Sequence, residues 1–277
     1  MTCARHLRAP LVGIVLLLTA NCSNTPTYPK THLAESLQDI FTNERLATSV
    51  RFLDHTLAVQ LDYPNALSKH GTQFGIGPDF DEATRKVLTG IHRVLLSSDA
   101  AVRFYVLLLS DPKIPGAYLT IVRYMDDVRR ANANMIDTPE MFARTVLELN
   151  FVGPERVTLE QYVPRDIQME EFLSWQLARR IQSRLTEELE PSGTATVGRC
   201  GGVFENGEFA FTLDVTPKTL GTPLDEITIR KTFQASTNVI AKVLSNYHFD
   251  GFKGIRLIYP ATGRNLVLPK TQLRTFL

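Results

Sequence analysis

Two stretches of the chain alternate apolar and polar residues, and they align without a gap 152 positions apart. In the first, Leu57, Val59, Leu61 and Tyr63 alternate with Ala58, Gln60 and Asp62. In the second, Phe209, Phe211, Leu213 and Val215 alternate with Ala210, Thr212 and Asp214. A period of two predicts a strand with one buried face. Each strand closes a predicted hairpin, over 50–63 and 203–216. Asn206-Gly207 is a two-residue turn signal, because both central residues of a type I′ turn need positive φ. Asp54-His55 holds the same place in the first stretch.

A helical period follows each hairpin. Phe80-Asp81-Glu82-Ala83-Thr84 matches Leu224-Asp225-Glu226-Ile227-Thr228, and acids at a helix start favour its positive end. Phe80, Ala83, Val87, Ile91, Val94 and Leu95 fall on one face of the first helix. Ile229, Phe233, Ile240, Val243, Leu244 and Tyr247 do so on the second. Next comes a strand ending before a proline, over 102–109 and 254–259, then a glycine-bearing loop and a further strand, over 118–124 and 266–268. The run 102–109 is apolar at odd and even positions, which predicts a central strand. A helix precedes each hairpin, over 33–46 and over 167–189, the latter with Asp166 as its expected N-cap.

These elements predict an α+β fold of two similar αββαββ units, 33–134 and 166–277, with mostly antiparallel sheets and helices packed on one face. Residues 135–165 read as a helical connector. Thr138-Pro139-Glu140 would start its helix, and Phe142, Val146 and Leu149 would line the buried side. The glycine-bearing stretch 71–78 reads as a surface loop, a place where function concentrates.

The chain begins with a basic head of Arg5, His6 and Arg8, an apolar run from Leu11 to Leu18, and then Thr19-Ala20-Asn21-Cys22. The apolar run is shorter than the roughly 20 residues a membrane span needs, so it reads as an export signal. The segment ending in Cys22 resembles a bacterial lipoprotein precursor. Its leucine stands one place early, and Asn21 replaces the usual Gly or Ala. The resemblance implies removal of 1–21, lipidation of Cys22, and, from Ser23 after the cysteine, the periplasmic side of an outer membrane. Several chains on one cysteine anchor stably where one acyl chain binds only marginally. Residues 22–32 would then act as a short tether. The alternative is a plain secretory signal cut after Ala20, which places Leu18 awkwardly for an A-x-A site.

Composition changes this picture little. Of 277 residues, 44% are hydrophobic and 21% charged, which is globular. The formal charge of +1 includes two leader arginines and no leader acid, so the remainder carries −1. That balance gives no field to recruit nucleic acid. Cys3 belongs to the leader and Cys22 to the anchor. Cys200 stands alone, so no internal disulfide is expected. As a candidate nucleophile it competes with a simpler role as a small residue packing near a hairpin.

Candidate chemistry is sparse. Asp62 and Asp214 hold equivalent places and would form a carboxylate pair only if the two units brought them together. Otherwise each is a solvated strand-end residue. His32, His55, His70, His92 and His248 form no ligand spacing, so no metal site is expected. His55 reads as a turn residue and His92 as a helix-flank residue. Asp126, Asp127, Arg129 and Arg130 read as a solvated charged helix face. Glu170 and Glu171 followed by Arg179, Arg180 and Arg184 fit a helix dipole, with Trp175 expected in the core. No nucleophile elbow, phosphate loop or dinucleotide motif is present, so neither a cofactor nor a catalytic residue is assigned. The leading expectation is a non-enzymatic, lipid-anchored module of the cell envelope that binds or scaffolds another envelope protein. The alternative is a lipid-anchored periplasmic enzyme, such as a hydrolase, with its site between the two units or near 65–79.

Overall fold

The computed structural model describes residues 27–153, 157–191, 193–219 and 223–276. The leader and Cys22 lie outside them. The first half runs α1 (Leu33–Asn43), β1 (Ala47–Phe52), β2 (Thr56–Asp62), a small hairpin of β3 (Leu67–His70) and β4 (Gln73–Ile76), α2 (Phe80–Leu95), β5 (Phe104–Ser110), β6 (Ala117–Tyr124) and α3 (Met125–Asn132). Then come α4 (Thr138–Arg144), β7 (Val146–Phe151) and α5 (Leu159–Tyr162). The second half runs α6 (Met169–Leu189), β8 (Ala195–Val197), β9 (Gly201–Glu205), β10 (Glu208–Thr212), β11 (Val215–Pro217), α7 (Glu226–Asn246), β12 (Gly254–Tyr259), β13 (Arg264–Pro269) and α8 (Lys270–Leu273).

The fold is α+β. The first sheet has the order β1-β2-β5-β6-β7 and the second β13-β12-β10-β9. In each, an antiparallel hairpin is followed by a crossover helix and a parallel partner, β2 with β5 and β10 with β12. An antiparallel strand then follows, β6 or β13. The two sheets thus have four strands in the same order, while the first adds β7 and the β3–β4 hairpin and the second adds the β8–β11 pair. Asn206 (φ 56°) and Gly207 (φ 83°) make the expected turn. The apolar run 102–109 supplies β5, the middle strand of five.

Several expectations need correction. The connector is not wholly helical, because Val146 and Leu149 belong to β7, the fifth strand of the first sheet. Phe142, expected on a buried helix face, is 61% exposed. The caps also shift by a residue or two. Asp137 caps α4 by accepting the Glu140 amide, and Gln168 forms a capping box with Glu171 at α6. Asp166 instead accepts the His55 amide at 2.9 Å. The 71–78 loop contains β4, paired to β3. The first helix stops at Asn43, and Arg45 turns the chain with φ 57°. The end of the expected tether is docked: the Tyr28 amide donates to Ser97 O at 3.3 Å, and the Lys30 amide to Asp99 Oδ1 at 2.6 Å. Free backbone donors beside a partly buried tyrosine find acceptors there, so residues 28–30 are not a free spacer.

The largest correction concerns the layers. Leu57, Val59, Leu61, Tyr105, Leu107 and Leu109 form one core with α1 and α2. Ala58, Phe104, Val106, Val122 and Val146 point the other way, into a second core shared with α6, α7 and the second sheet. Helices therefore cover both faces of the first sheet and one face of the second. The second core runs across both halves, so α6 is the common wall between them.

Candidate functional site

Between the halves, a cavity of about 360 Å³ lies against the second face of the first sheet. Val106, Val122 and Val146, from β5, β6 and β7, form its apolar floor. Thr120 and Glu148 add polar groups from β6 and β7. The segment from Tyr162 to Ile167 forms one wall, and Glu171 and Trp175 of α6 form the rim. A mostly apolar hollow with a few convergent polar groups suits a small ligand.

The wall is fixed to the first half by hydrogen bonds far apart in sequence. Arg51 Nη1 donates to Val163 O at 2.9 Å, and the Ile167 amide donates to Thr56 Oγ1 at 3.0 Å. Gln60 Nε2 donates to Val157 O at 3.3 Å. The Thr158-x-x-Gln161 capping box starts α5 and sets Tyr162, which accepts from Thr120 Oγ1 at 2.8 Å and meets Tyr118 edge-on. Burial pushes the Tyr162 phenol up to about 12.

The charged groups at the rim are paired. Arg165 grips Glu171 through both terminal nitrogens, at 2.8 and 2.5 Å, and this holds the Glu171 carboxyl below its usual range. Arg199 pairs with Glu148 and reaches Asn150 Oδ1 at 3.5 Å. Arg179 lies one turn beyond Trp175. Burial lowers its pKa, and its buried Nη1 has no hydrogen-bond partner.

Beside the cavity, a buried polar network joins four helices. Arg144 Nη1 meets Asp127 Oδ1 at 2.8 Å, and Tyr247 OH donates to Asp127 Oδ2 at 2.5 Å. Gln176 Nε2 donates to Arg144 O at 2.7 Å and to Tyr247 OH at 2.9 Å. Glu140 accepts from Arg144 Nε at 2.8 Å and lies 3.4 Å from Arg180 Nη2. Such a network fixes how α3, α4, α6 and α7 sit together.

The residues singled out from sequence scatter. Asp62 accepts from Ser110 Oγ at 2.5 Å in the first half, whereas Asp214 lies against Gly198 and Cys200 in the second; each has its own local partner. Cys200 is buried, and burial pushes its thiol up, away from nucleophile chemistry. Trp175 is 38% exposed at the cavity rim, not in the core. Asp127 is buried and paired, not on a solvated face, whereas Asp126 does make the expected surface pair with Arg129 at 2.6 Å. His92 is not a flank residue: its Nε2 lies 2.8 Å from Tyr105 OH, which Arg123 also contacts at 3.2 Å. Burial lowers the His92 pKa to about 4. His32 pairs with Glu35, and His55 Nδ1 lies 3.0 Å from Ala101 O. His70 is exposed on β3, and His248 lines a smaller hollow at the end of α7. Among the described residues, no group of three or more His, Cys, Asp and Glu side chains converges as a metal site would require.

Sequence reasoning missed Glu148, Tyr162, Arg144 and Arg199. The capping-box spacing at Thr158 and the alternation in 146–151 were the available signals for the first two. Comparison with family models, with curated proteins and with solved structures returns no match.

Proposed function

We propose that this protein is a lipid-anchored, non-enzymatic binding module of the bacterial cell envelope. It is held through Cys22 on the periplasmic side of the outer membrane and built from a duplicated αββαββ unit. The basic head, short apolar run and Cys22 support the address. Among the described residues, no helix is long and apolar enough to cross a membrane.

The cavity between the halves carries the binding reading. Its floor is three valines, and the groups around it are already matched to one another: Thr120 with Tyr162, Glu171 with Arg165, Glu148 with Arg199. General acid–base catalysis needs a group whose pKa lies near the working pH. Here the tyrosine is pushed away from neutrality, and the Glu171 carboxylate is held ionised. Such walls suit capture of an amphipathic group belonging to an envelope partner, with an apolar part on the valines and a polar part at the rim.

Trp175 is the chain's single tryptophan, so its emission reports on this site. The test compares wild type with Cys22→Ala by intact mass and membrane fractionation, then titrates the protein with anilinonaphthalene sulfonate while following Trp175. A triacylated N-terminus at Cys22, lost from membranes in the mutant, is expected. So is quenching of Trp175 that weakens when Val146→Phe fills the floor. An unmodified N-terminus elsewhere removes the anchor, and quenching indifferent to Val146→Phe removes the cavity.

A further inference from the structure

The two main sheets end in four edge strands, β1, β7, β9 and β13. Free edges template pairing with another chain unless a helix, charge, proline or bulge blunts them. Helix α1 packs beside β1, and Gln38 Nε2 donates to Thr48 O there. Strand β13 ends in Pro269, and β9 opens on Gly201 and Gly202, which weaken a strand. Strand β7, Val-Leu-Glu-Leu-Asn-Phe, carries one charge, Glu148, which Arg199 already pairs, and among the described residues its one strand partner is β6.

The outward groups of β7 can be read from one bond. Phe151 pairs with Ala117, and the Val152 amide donates to Gly116 O at 3.1 Å. In an antiparallel ladder, alternate residues bond inward and outward. Val146, Glu148 and Asn150 therefore turn their backbone groups to β6, and Leu147, Leu149 and Phe151 turn theirs to the free edge. Leu147 and Leu149 are only partly buried, and Phe151 is 51% exposed, stacked on Phe74 with centroids 4.7 Å apart.

We propose that β7 pairs with β7 of a second copy of this chain, antiparallel about a twofold axis at Leu149, joining the two first sheets into one. The pairing follows from complementarity. Outward residues must meet outward residues, which limits where the axis can fall. At Leu149 it sets Leu147 opposite the second copy's Phe151 and Leu149 opposite the second copy's Leu149, each pair exchanging both backbone bonds. It also sets Glu148 opposite the second copy's Asn150, an acceptor facing an amide. One residue earlier, the axis brings two Glu148 carboxylates face to face in the close, non-hydrogen-bonded position, which is destabilising. One residue later, it places Glu148 against Val152. The strand is complementary to itself in one register, and closed twofold pairing is the commonest form of assembly.

Sedimentation equilibrium of the full chain in density-matched detergent tests this. Wild type is expected to reach twice the protomer mass within the micromolar range. Leu149→Lys is expected to weaken the association by about tenfold or more, with an unchanged circular dichroism spectrum. Leu149→Cys, mildly oxidised, is expected to give a cross-linked dimer that neither wild type nor Phe142→Cys, on exposed α4, produces. A wild-type monomer throughout, a dimer indifferent to Leu149→Lys, equal cross-linking by Phe142→Cys, or a monomer that takes up only an extended foreign peptide at this edge would each overturn the proposal.

Discussion

Ala58 and Val106 face each other across β2 and β5, and Ala210 and Arg256 hold the matching places across β10 and β12. The first pair is fully buried against α6 and its neighbours, whereas the second is half-exposed and Arg256 pairs with Glu208 at 3.3 Å. The strand order is the same, but one sheet is a middle layer and the other an outer layer. The cause is α6, which covers its own sheet on one side and the second face of the first sheet on the other. One helix serving two sheets turns two small units into one body, and it leaves between them the cavity that Trp175 borders.

That contrast can be broken most directly by exchanging residues. Val106→Arg puts the outer-layer residue into the middle layer, on a cavity floor whose nearest acids, Glu148 and Glu171, are already paired with Arg199 and Arg165. We expect a loss of about 4 kcal/mol or more, or failure to fold, in urea unfolding followed by circular dichroism. Arg144→Met tests the polar ties between the halves. It leaves the buried Asp127 carboxylate without its cation, and a cost of about 3–5 kcal/mol is expected in the same assay. If the cost stays below 1 kcal/mol, the network does not hold the halves together.

His92 sharpens the comparison on the other face of the first sheet, beneath α2. Its folded pKa of about 4 lies below the unfolded value of about 6.5, so the folded state binds fewer protons. Its contribution is therefore complete above about pH 6.5 and is lost as the pH falls toward 4, by up to about 3 kcal/mol. His92→Gln is expected to flatten that part of the stability–pH curve. An unchanged slope would show that burial of this imidazole is not what the curve reads. The smallest effect is expected from Arg256→Val, the reverse exchange on the outer layer, at within about 0.5 kcal/mol of wild type in urea unfolding.

The sequence carried the fold further than the site. Period-two alternation in 57–63 and 209–215, the Asn206-Gly207 turn and the doubly apolar run of β5 each depend on neighbours within one strand or hairpin, and each gave a strand or turn, although β2 is buried on both faces rather than one and β10 ends at Thr212. Strand β7 was misread because Val146 and Leu149 also fit a helical spacing after the Pro139 start; only its ladder with β6 distinguishes the two. The cavity draws on residues from 106 to 175, and no local spacing announces that Val106, Tyr162 and Trp175 will meet. Asp127 looks from its neighbours like any helix-surface acid. Its burial depends on Arg144 and on Tyr247, 120 positions away.

The sequence by itself determined the α+β class, the hairpin turn and the central place of β5. These rest on local backbone preference and on hydrophobic periods, which act within a few residues. Tertiary structure decided that α6 would be shared, that the first sheet would be covered twice and that the stretch before α1 would dock. Those outcomes depend on which surfaces meet across long separations, where burial of the second face outweighs any preference written along a single element.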